Sequence, residues 1–152
     1  MIEKGLKKVD IWTDGGSKPN PGPGGWAALL RFGKHEKEIS GFEQETTNNR
    51  MELTAAAKAL ETLKEPCEIN LYTDSQYVRR GITEWSAGWI KRNWRGASNK
   101  PVLNVDLWQR VLKAAERHII TWHWVKGHAE SAENNRVDEL ATLARKSAET
   151  QT

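Results

Sequence analysis

The order of elements along the chain predicts an α/β domain built on one mixed β-sheet. Three observations carry this expectation. Residues 7–44 hold three strand-like stretches in succession, the pattern of an antiparallel meander. Two later strands each follow a helical stretch, and a helical crossover returns a strand parallel to its neighbour. The length, 152 residues with 38% apolar, suits one core rather than several.

Residues 7–14 read as the first strand, with Val9, Ile11 and Thr13 alternating with Asp10, Trp12 and Asp14. The run Pro19-Asn20-Pro21-Gly22-Pro23-Gly24-Gly25 reads as a loop. Residues 26–33 and 36–44 read as two further strands, with Gly33-Lys34 as the hairpin turn. Residues 49–64 form a helix that is apolar on most sides (Met51, Leu53, Ala55, Ala56, Ala57, Ala59, Leu60, Leu63), so it should be largely buried, and Pro66 stops it. Residues 67–73 form a strand. A short helix follows from Ser75, with Gly81 near its end. The next segment is rich in tryptophan and partly helical, since Trp85 and Trp89 are spaced i,i+4. Residues 105–116 form a helix with Trp108, Val111, Leu112 and Ala115 on one face, and residues 119–125 a last strand. A polar loop leads to a final helix with Val137, Leu140, Ala141 and Ala144 on one face. Residues 1–148 are expected to form one domain, with 149–152 a short tail.

Composition removes several classes. No apolar run approaches ~18 residues, so no membrane span is expected. Met1-Ile2-Glu3-Lys4-Gly5 lacks the apolar stretch of a secretory signal. The one cysteine, Cys67, excludes a disulfide framework and a cysteine-rich zinc site. A cytoplasmic monomer is the expectation. The net charge of +3, from 23 Lys+Arg against 20 Asp+Glu, is unevenly placed. Residues 85–105 hold Lys91, Arg92, Arg95 and Lys100 and no acid, so the positive excess sits there. Three of the eight tryptophans, Trp85, Trp89 and Trp94, share the segment. A charge cluster fits a solvated face; interleaved with tryptophan it fits a nucleic-acid surface as well.

The chemistry-bearing candidates are carboxylates. Two of the five aspartates end strands in the same way, in Thr13-Asp14-Gly15 and Thr73-Asp74-Ser75. On parallel neighbours they would lie side by side, about 4.8 Å between strands, at the sheet end where α/β ligands bind. Turn chemistry at Asp14-Gly15 and a helix cap at Asp74 explain the same residues. Two roles also fit Glu52: it has capping-box spacing from Asn49, and it heads the apolar line Ala56, Ala59, Leu63. Asp138 suits the dipole near the start of the last helix and also flanks the apolar face at Val137 and Ala141. Four converging carboxylates would need neutralising, and oxygen ligands suit Mg²⁺ or Mn²⁺. His128, in a glycine-bearing loop, is either a mobile proton carrier or a plain surface histidine.

Several motifs together resemble a known family. Asp14-Gly15, Asn20-Pro21-Gly22-Pro23-Gly24-Gly25, Thr46-Thr47-Asn48-Asn49-Arg50-Met51-Glu52, Thr73-Asp74-Ser75-Gln76-Tyr77, Asn104-Val105-Asp106-Leu107-Trp108, Trp124-Val125-Lys126-Gly127-His128 and Asp138-Glu139-Leu140-Ala141 are similar as a set to the bacterial type 1 ribonucleases H. The resemblance covers nearly the whole chain. It implies a ribonuclease H-like fold, a five-stranded mixed sheet with helices on both faces. It implies endonucleolytic hydrolysis of the RNA strand of RNA–DNA hybrids by two metal ions, leaving 5′-phosphate and 3′-hydroxyl ends. By resemblance Asp14, Glu52, Asp74 and Asp138 hold the ions, two Mg²⁺ with Mn²⁺ able to substitute, and His128 assists proton transfer or product release. Asn20, Asn48, Asn49 and Gln76 would contact the RNA strand, and Thr47 with Asn104 a DNA phosphate. Trp85 and Trp89 would line the DNA channel, and Lys91, Arg92 and Arg95 would bind phosphates. Glu45 stands where the family often has arginine, and Glu130 where it has glycine.

Two rival readings use the same residues. A nuclease of this fold acting on DNA would share the carboxylates, but the Asn-rich run before Glu52 and the basic tryptophan segment argue for a hybrid. A hybrid-binding module without catalysis would keep Trp, Lys and Arg and need no four carboxylates.

Overall fold

The computed structural model describes residues 5–126 and 131–150. Five strands form one sheet in the order β3-β2-β1-β4-β5. They are β1 (Lys7–Ser17), β2 (Gly22–Phe32), β3 (His35–Thr46), β4 (Cys67–Thr73) and β5 (Ile119–Trp124). β1–β2 and β2–β3 pair antiparallel, while β1–β4 and β4–β5 pair parallel, as the meander and the crossovers require. The helices are α1 (Asn48–Thr62), α2 (Gln76–Arg80), α3 (Ser86–Lys91), α4 (Val105–Ala115) and α5 (Ala132–Thr150), with a π-helical turn at Gly81–Trp85 between α2 and α3.

Strand alternation sends the two faces of the sheet to different partners. Val9, Ile11, Ala28, Leu30, Ile69 and Leu71 form a core with Ala59 and Leu60 of α1, joined at its edge by Ala114 and Ala115 of α4. On the opposite face Trp12, Ala27 and Leu29 pack on Val137 and Ala141 of α5. Helices therefore cover both faces.

Three expectations change in detail. The Pro/Gly run is not all loop: β2 begins at Gly22, and Gly24 and Gly25 pair with Ser17 and Gly16. A backbone ladder can run through these glycines because helices press on them from both sides. A Cβ on Gly24 would meet Met51 Cγ of α1 at 2.9 Å, and one on Gly25 would strike the backbone of Ala141 and Arg145 of α5. Helix α1 ends at Thr62 rather than residue 64, since Leu63 is already extended. Helix α5 runs through Thr150, two residues into the stretch read as a tail.

The basic segment is rooted in the core. Trp89 lies 5.2 Å from fully buried Trp108 and 5.9 Å from Trp94, centroid to centroid, and Trp85 packs 5.7 Å from Trp89. Gly81 permits this, because a Cβ there would overlap the Trp108 indole. The backbone beyond is left-handed at Asn93, Trp94, Ser98, Asn99 and Asn104. Such a conformation is costly for a bulky residue like Trp94. It is held by Trp94 N–H donating to Trp89 O at 2.7 Å and by Val102 N–H donating to Trp94 O at 3.0 Å. The protrusion is thus a shaped element rather than a slack loop. Lys91, Arg92 and Arg95 are exposed on it.

Candidate active site

Asp14 and Asp74 meet because of strand register. Trp12 is opposite Tyr72 in the parallel β1–β4 pair, and Asp14 and Asp74 lie two residues further on, so both side chains leave the same face. The local roles that the sequence also allowed fall to neighbours. Asp14 sits within β1, paired with Ala27, rather than in a turn. The cap of α2 is Ser75, whose hydroxyl accepts from Val78 N–H at 3.1 Å, so that task does not fall to Asp74.

Glu52 arrives from α1. The capping-box alternative fails: the N-cap is Thr47, whose hydroxyl accepts from Arg50 N–H at 3.2 Å, and Glu52 lies in the following turn. The close approach rests on Gly15. A Cβ there would sit 2.5 Å from the Met51 carbonyl carbon and 2.8 Å from Glu52 N. Only the bare backbone of Gly15 lets the start of α1 lie on β1. Asp138 arrives from α5, which approaches β2 through Gly25 in the same manner.

Carboxylate oxygens of Asp14, Glu52 and Asp74 all lie within 4.8 Å of one another. Asp138 joins them through a side-chain hydrogen bond to Asp14. The electrostatics follow from crowding like charges in a half-buried place. Burial first, then the charge of Asp74 and the contact with Asp138, push the Asp14 carboxyl up to about 8. Burial, then Asp14 and Asp74, hold Glu52 well above the usual carboxylate range. Glu52 Oε1 is buried and has no hydrogen-bond partner. A lone buried carboxylate oxygen is expensive, and a cluster of three carboxylates offers the oxygen donors that a hard divalent cation takes as ligands. The donor set therefore fits Mg²⁺ or Mn²⁺.

Two of the polar residues singled out in the sequence, Asn20 and Asn48, are hydrogen-bonded to each other and to Ser17. Asn20 Oδ1 accepts from Asn48 N–H at 3.0 Å and from the Ser17 hydroxyl at 3.1 Å, and Asn48 Oδ1 accepts from Ser17 N–H at 2.7 Å. Ser17 and Asn48 border the same cavity as the four carboxylates. Gln76, exposed, opens α2 two residues after Asp74, and Asn49 is half-buried in the first turn of α1. Thr47 and Asn104 are tied together by Arg50. Its backbone N–H donates to Thr47, its guanidinium donates to Asn104 Oδ1 at 3.2 Å, and it forks onto Asp106 at 3.1 and 2.8 Å. Asn104 Nδ2 and Trp108 Nε1 both donate to the Tyr77 hydroxyl, at 3.1 and 2.9 Å. Arg50, Tyr77 and Ser17 are thus organisers that sequence reasoning passed over. The one signal was Arg50 itself, a cation in the Asn-rich run facing the Asn104-Val105-Asp106 motif. The expected channel tryptophans are both half-buried: Trp89 packs against the core, and Trp85 bridges it to Tyr77 at 6.0 Å. His128 and Glu130 lie outside the described residues. Val125 and Asn134, before and after them in the chain, border a pocket with Asp14, Asp74 and Asp138.

A profile of the RNase H family matches residues 6–146. The chain belongs to the ribonuclease H family. It is 66% identical over 137 residues to the ribonuclease H of Acidiphilium cryptum, covering 90% of this chain and 86% of that one. Among solved structures of the family, LC9-RNase H1, a type 1 RNase H with the type 2 active-site motif, superposes with a TM-score of 0.84 at 28% identity, over 94% of this chain and 74% of that one. LC11-RNase H1, solved in complex with an RNA/DNA hybrid, shares the fold with a TM-score of 0.70 at 23% identity, over 92% and 98% of the two chains. The ribonuclease H match takes in all four carboxylates and the basic protrusion alike. Among the described residues, no helix is long and apolar enough to cross a membrane.

Proposed function

We infer that this chain is an endonuclease that hydrolyses the RNA strand of RNA–DNA hybrids and leaves 5′-phosphate and 3′-hydroxyl ends. The observation that carries the reading is the convergence of Asp14, Glu52 and Asp74 within 4.8 Å, with one buried carboxylate oxygen left without a partner. That arrangement is costly unless cations occupy it.

Asp14, Glu52, Asp74 and Asp138 would hold two Mg²⁺ ions, with Mn²⁺ able to substitute. Bound there, such ions activate a water for in-line attack on a phosphodiester and steady the leaving oxygen. The chain's own residues do the rest. Asp14, which interacts with both Asp74 and Asp138, would have to be ionised to serve as a ligand. Asn20, Asn48, Asn49 and Gln76 present amides to the RNA strand, where the 2′-hydroxyl distinguishes RNA from DNA. Thr47 and Asn104, braced by Arg50, offer a hydroxyl and an amide to a phosphate of the DNA strand. Lys91, Arg92 and Arg95, with Trp85 and Trp89 behind them, hold the duplex backbone without reading sequence. His128 carries a proton to or from the reacting oxygens. The chain acts as a cytoplasmic, single-domain monomer with no obligate protein partner.

End-labelled matched substrates test this directly. The expected result is cutting of the RNA strand of a hybrid with Mg²⁺ or Mn²⁺, none with EDTA, and no cutting of duplex DNA. Cutting of the DNA duplex would favour the DNA-nuclease reading, and tight hybrid binding with no cutting under any metal would favour a binding module.

A further inference from the structure

The cleft that gathers the carboxylates is not wholly acidic. Its cavity of about 370 Å³ is bordered by Asp14, Glu52, Asp74 and Asp138, and also by Lys18 and Arg145. The cations are set apart from the acids by the geometry of their elements. Arg145 is seven residues beyond Asp138 on α5, two turns along the same side and about 10 Å away in rise. Lys18 follows the last residue of β1, four positions past Asp14. Both displacements run toward the same corner. Gly16 of β1 pairs with Gly25 of β2, and Gly25 lies directly beneath the backbone of Arg145.

Arg145 is placed as a binding group rather than as a counterion for the acids. Its side chain is only 17% exposed, although it lies in a cleft wall. Its guanidinium is paired with Glu149, one turn further from Asp138, and not drawn onto the carboxylates. Glu149 is itself 44% exposed, so the pair sits where solvent can replace it. A planar guanidinium anchored at one edge offers its remaining N–H donors as a fork, the geometry that suits a phosphate. Lys18 adds an exposed charge beside it.

We propose that Arg145, assisted by Lys18, is a phosphate-binding subsite of the catalytic cleft that grips an RNA-strand phosphate neighbouring the one that is cut. This rests on the hybrid-cleaving reading given above. The division of labour is physical: the acidic end of the cleft holds cations at the scissile phosphate, and the basic end holds an adjoining phosphate, so the strand is fixed at two points. Two-point fixation sets which bond lies over the carboxylates.

The test uses the full chain and a hybrid whose RNA-containing strand carries only a short ribonucleotide run, so that cutting is confined. Arg145→Ala should raise KM about 5- to 10-fold with kcat changed less than about 2-fold, the signature of weakened ground-state binding. The log–log salt slope of hybrid binding in EDTA should become shallower by about 0.7–0.9, the share of a single phosphate. Arg145→Lys should restore most of both. Neutral methylphosphonate linkages, scanned one at a time on either side of the cut, should include one position that raises KM in the wild type and adds nothing further in Arg145→Ala. The Mg²⁺-induced rise in Tm should be the same in wild type and variant. An unchanged KM and slope in Arg145→Ala, or full additivity at every methylphosphonate position, overturns the proposal while leaving the ribonuclease reading intact. Loss of the Mg²⁺-induced Tm rise would overturn it too, by showing that Arg145 serves the carboxylates. A wild type that cuts no hybrid with any divalent metal would instead remove the reading on which the proposal stands.

Discussion

Asp14 is the residue whose surroundings say most about the chemistry. Its carboxyl is raised to about 8 by burial, by Asp74 and by Asp138, so the metal-free folded protein binds a proton there that the unfolded chain, with a pKa near 4, does not. By linkage, a raised folded pKa stabilises the fold fully below about pH 4, and that contribution is lost as pH rises toward 8. Asp14→Asn removes the titration. In EDTA at pH 8 it should therefore be more stable than the wild type by roughly 1 kcal/mol or more, about 2–4 °C in Tm for a chain of this size. At pH 4 the difference should shrink toward zero, which thermal melts at the two pH values would check. The same variant should lose hybrid cleavage by several orders of magnitude while binding the hybrid at least as well, because a negative charge near phosphate is gone; a gel-shift assay beside the cleavage assay reads both. A pure binding module would show no loss at all. The residue scale was legible in the sequence where a motif was short and local: Asp14 and Asp74 stand in matching strand ends. It was not legible at Arg50 or Tyr77, whose importance comes from partners more than 25 positions away.

At the scale of elements, two glycines decide where helices may go. Gly15 sits under the Met51–Glu52 peptide and Gly25 under Ala141 and Arg145. The sequence placed α1 and α5 correctly by their apolar faces, yet it could not say how deeply each would seat. Depth is what carries Glu52 and Asp138 to within reach of β1. Gly15→Ala therefore tests positioning rather than core volume. The added methyl meets backbone, which cannot step aside cheaply, so a cost of about 1–3 kcal/mol is expected from overpacking. Its sharper consequence is displacement of Glu52. The Mg²⁺-dependent rise in Tm should fall well below that of the wild type even when both are compared at equal fractions folded. A variant that loses stability but keeps the full Mg²⁺ response would show that Gly15 matters for packing alone. The protrusion behaves in a related way. Composition marked it as basic and aromatic, but Trp89 is an anchor against Trp108 with Trp94 packed on it, and left-handed residues at Asn93, Trp94, Ser98, Asn99 and Asn104 give the segment its shape.

Over the whole molecule, charge is divided between two surfaces. Lys91, Arg92 and Arg95 stand exposed on the protrusion, and the carboxylates are sunk in the cleft. Duplex binding should consequently depend on salt chiefly through the protrusion, and cleavage on divalent cations through the cleft. Replacing Lys91, Arg92 and Arg95 together with Ala should weaken hybrid binding at low salt and reduce the log–log salt slope by about one unit for each phosphate no longer held. The Mg²⁺ response of Tm should stay as in the wild type, because none of the clustered carboxylates is touched. Binding titrations across a salt series measure the first, and melts with and without Mg²⁺ the second. A slope that does not change would show that the protrusion does not touch the phosphate backbone.

The sequence by itself determined the succession of three strands, a helix, a strand, a helical stretch, a strand and a last helix, together with the strand periodicities and the buried character of α1, and it marked four carboxylates as candidates. These are properties of residue type and spacing, and they act over a few positions. Only the tertiary structure decided that Thr47 and Ser75 do the capping, and that Glu52 and Asp74 meet Asp14 instead. It alone showed the Arg50 brace, and it alone showed Arg145 in the same cleft as Asp138. The physical reason is common to all of these. Capping competes among neighbours of similar chemistry, and pairings across the sheet depend on how closely backbones approach. Both are settled by the packing of α1 and α5 against β1 and β2, in which residues far apart in the chain take part together.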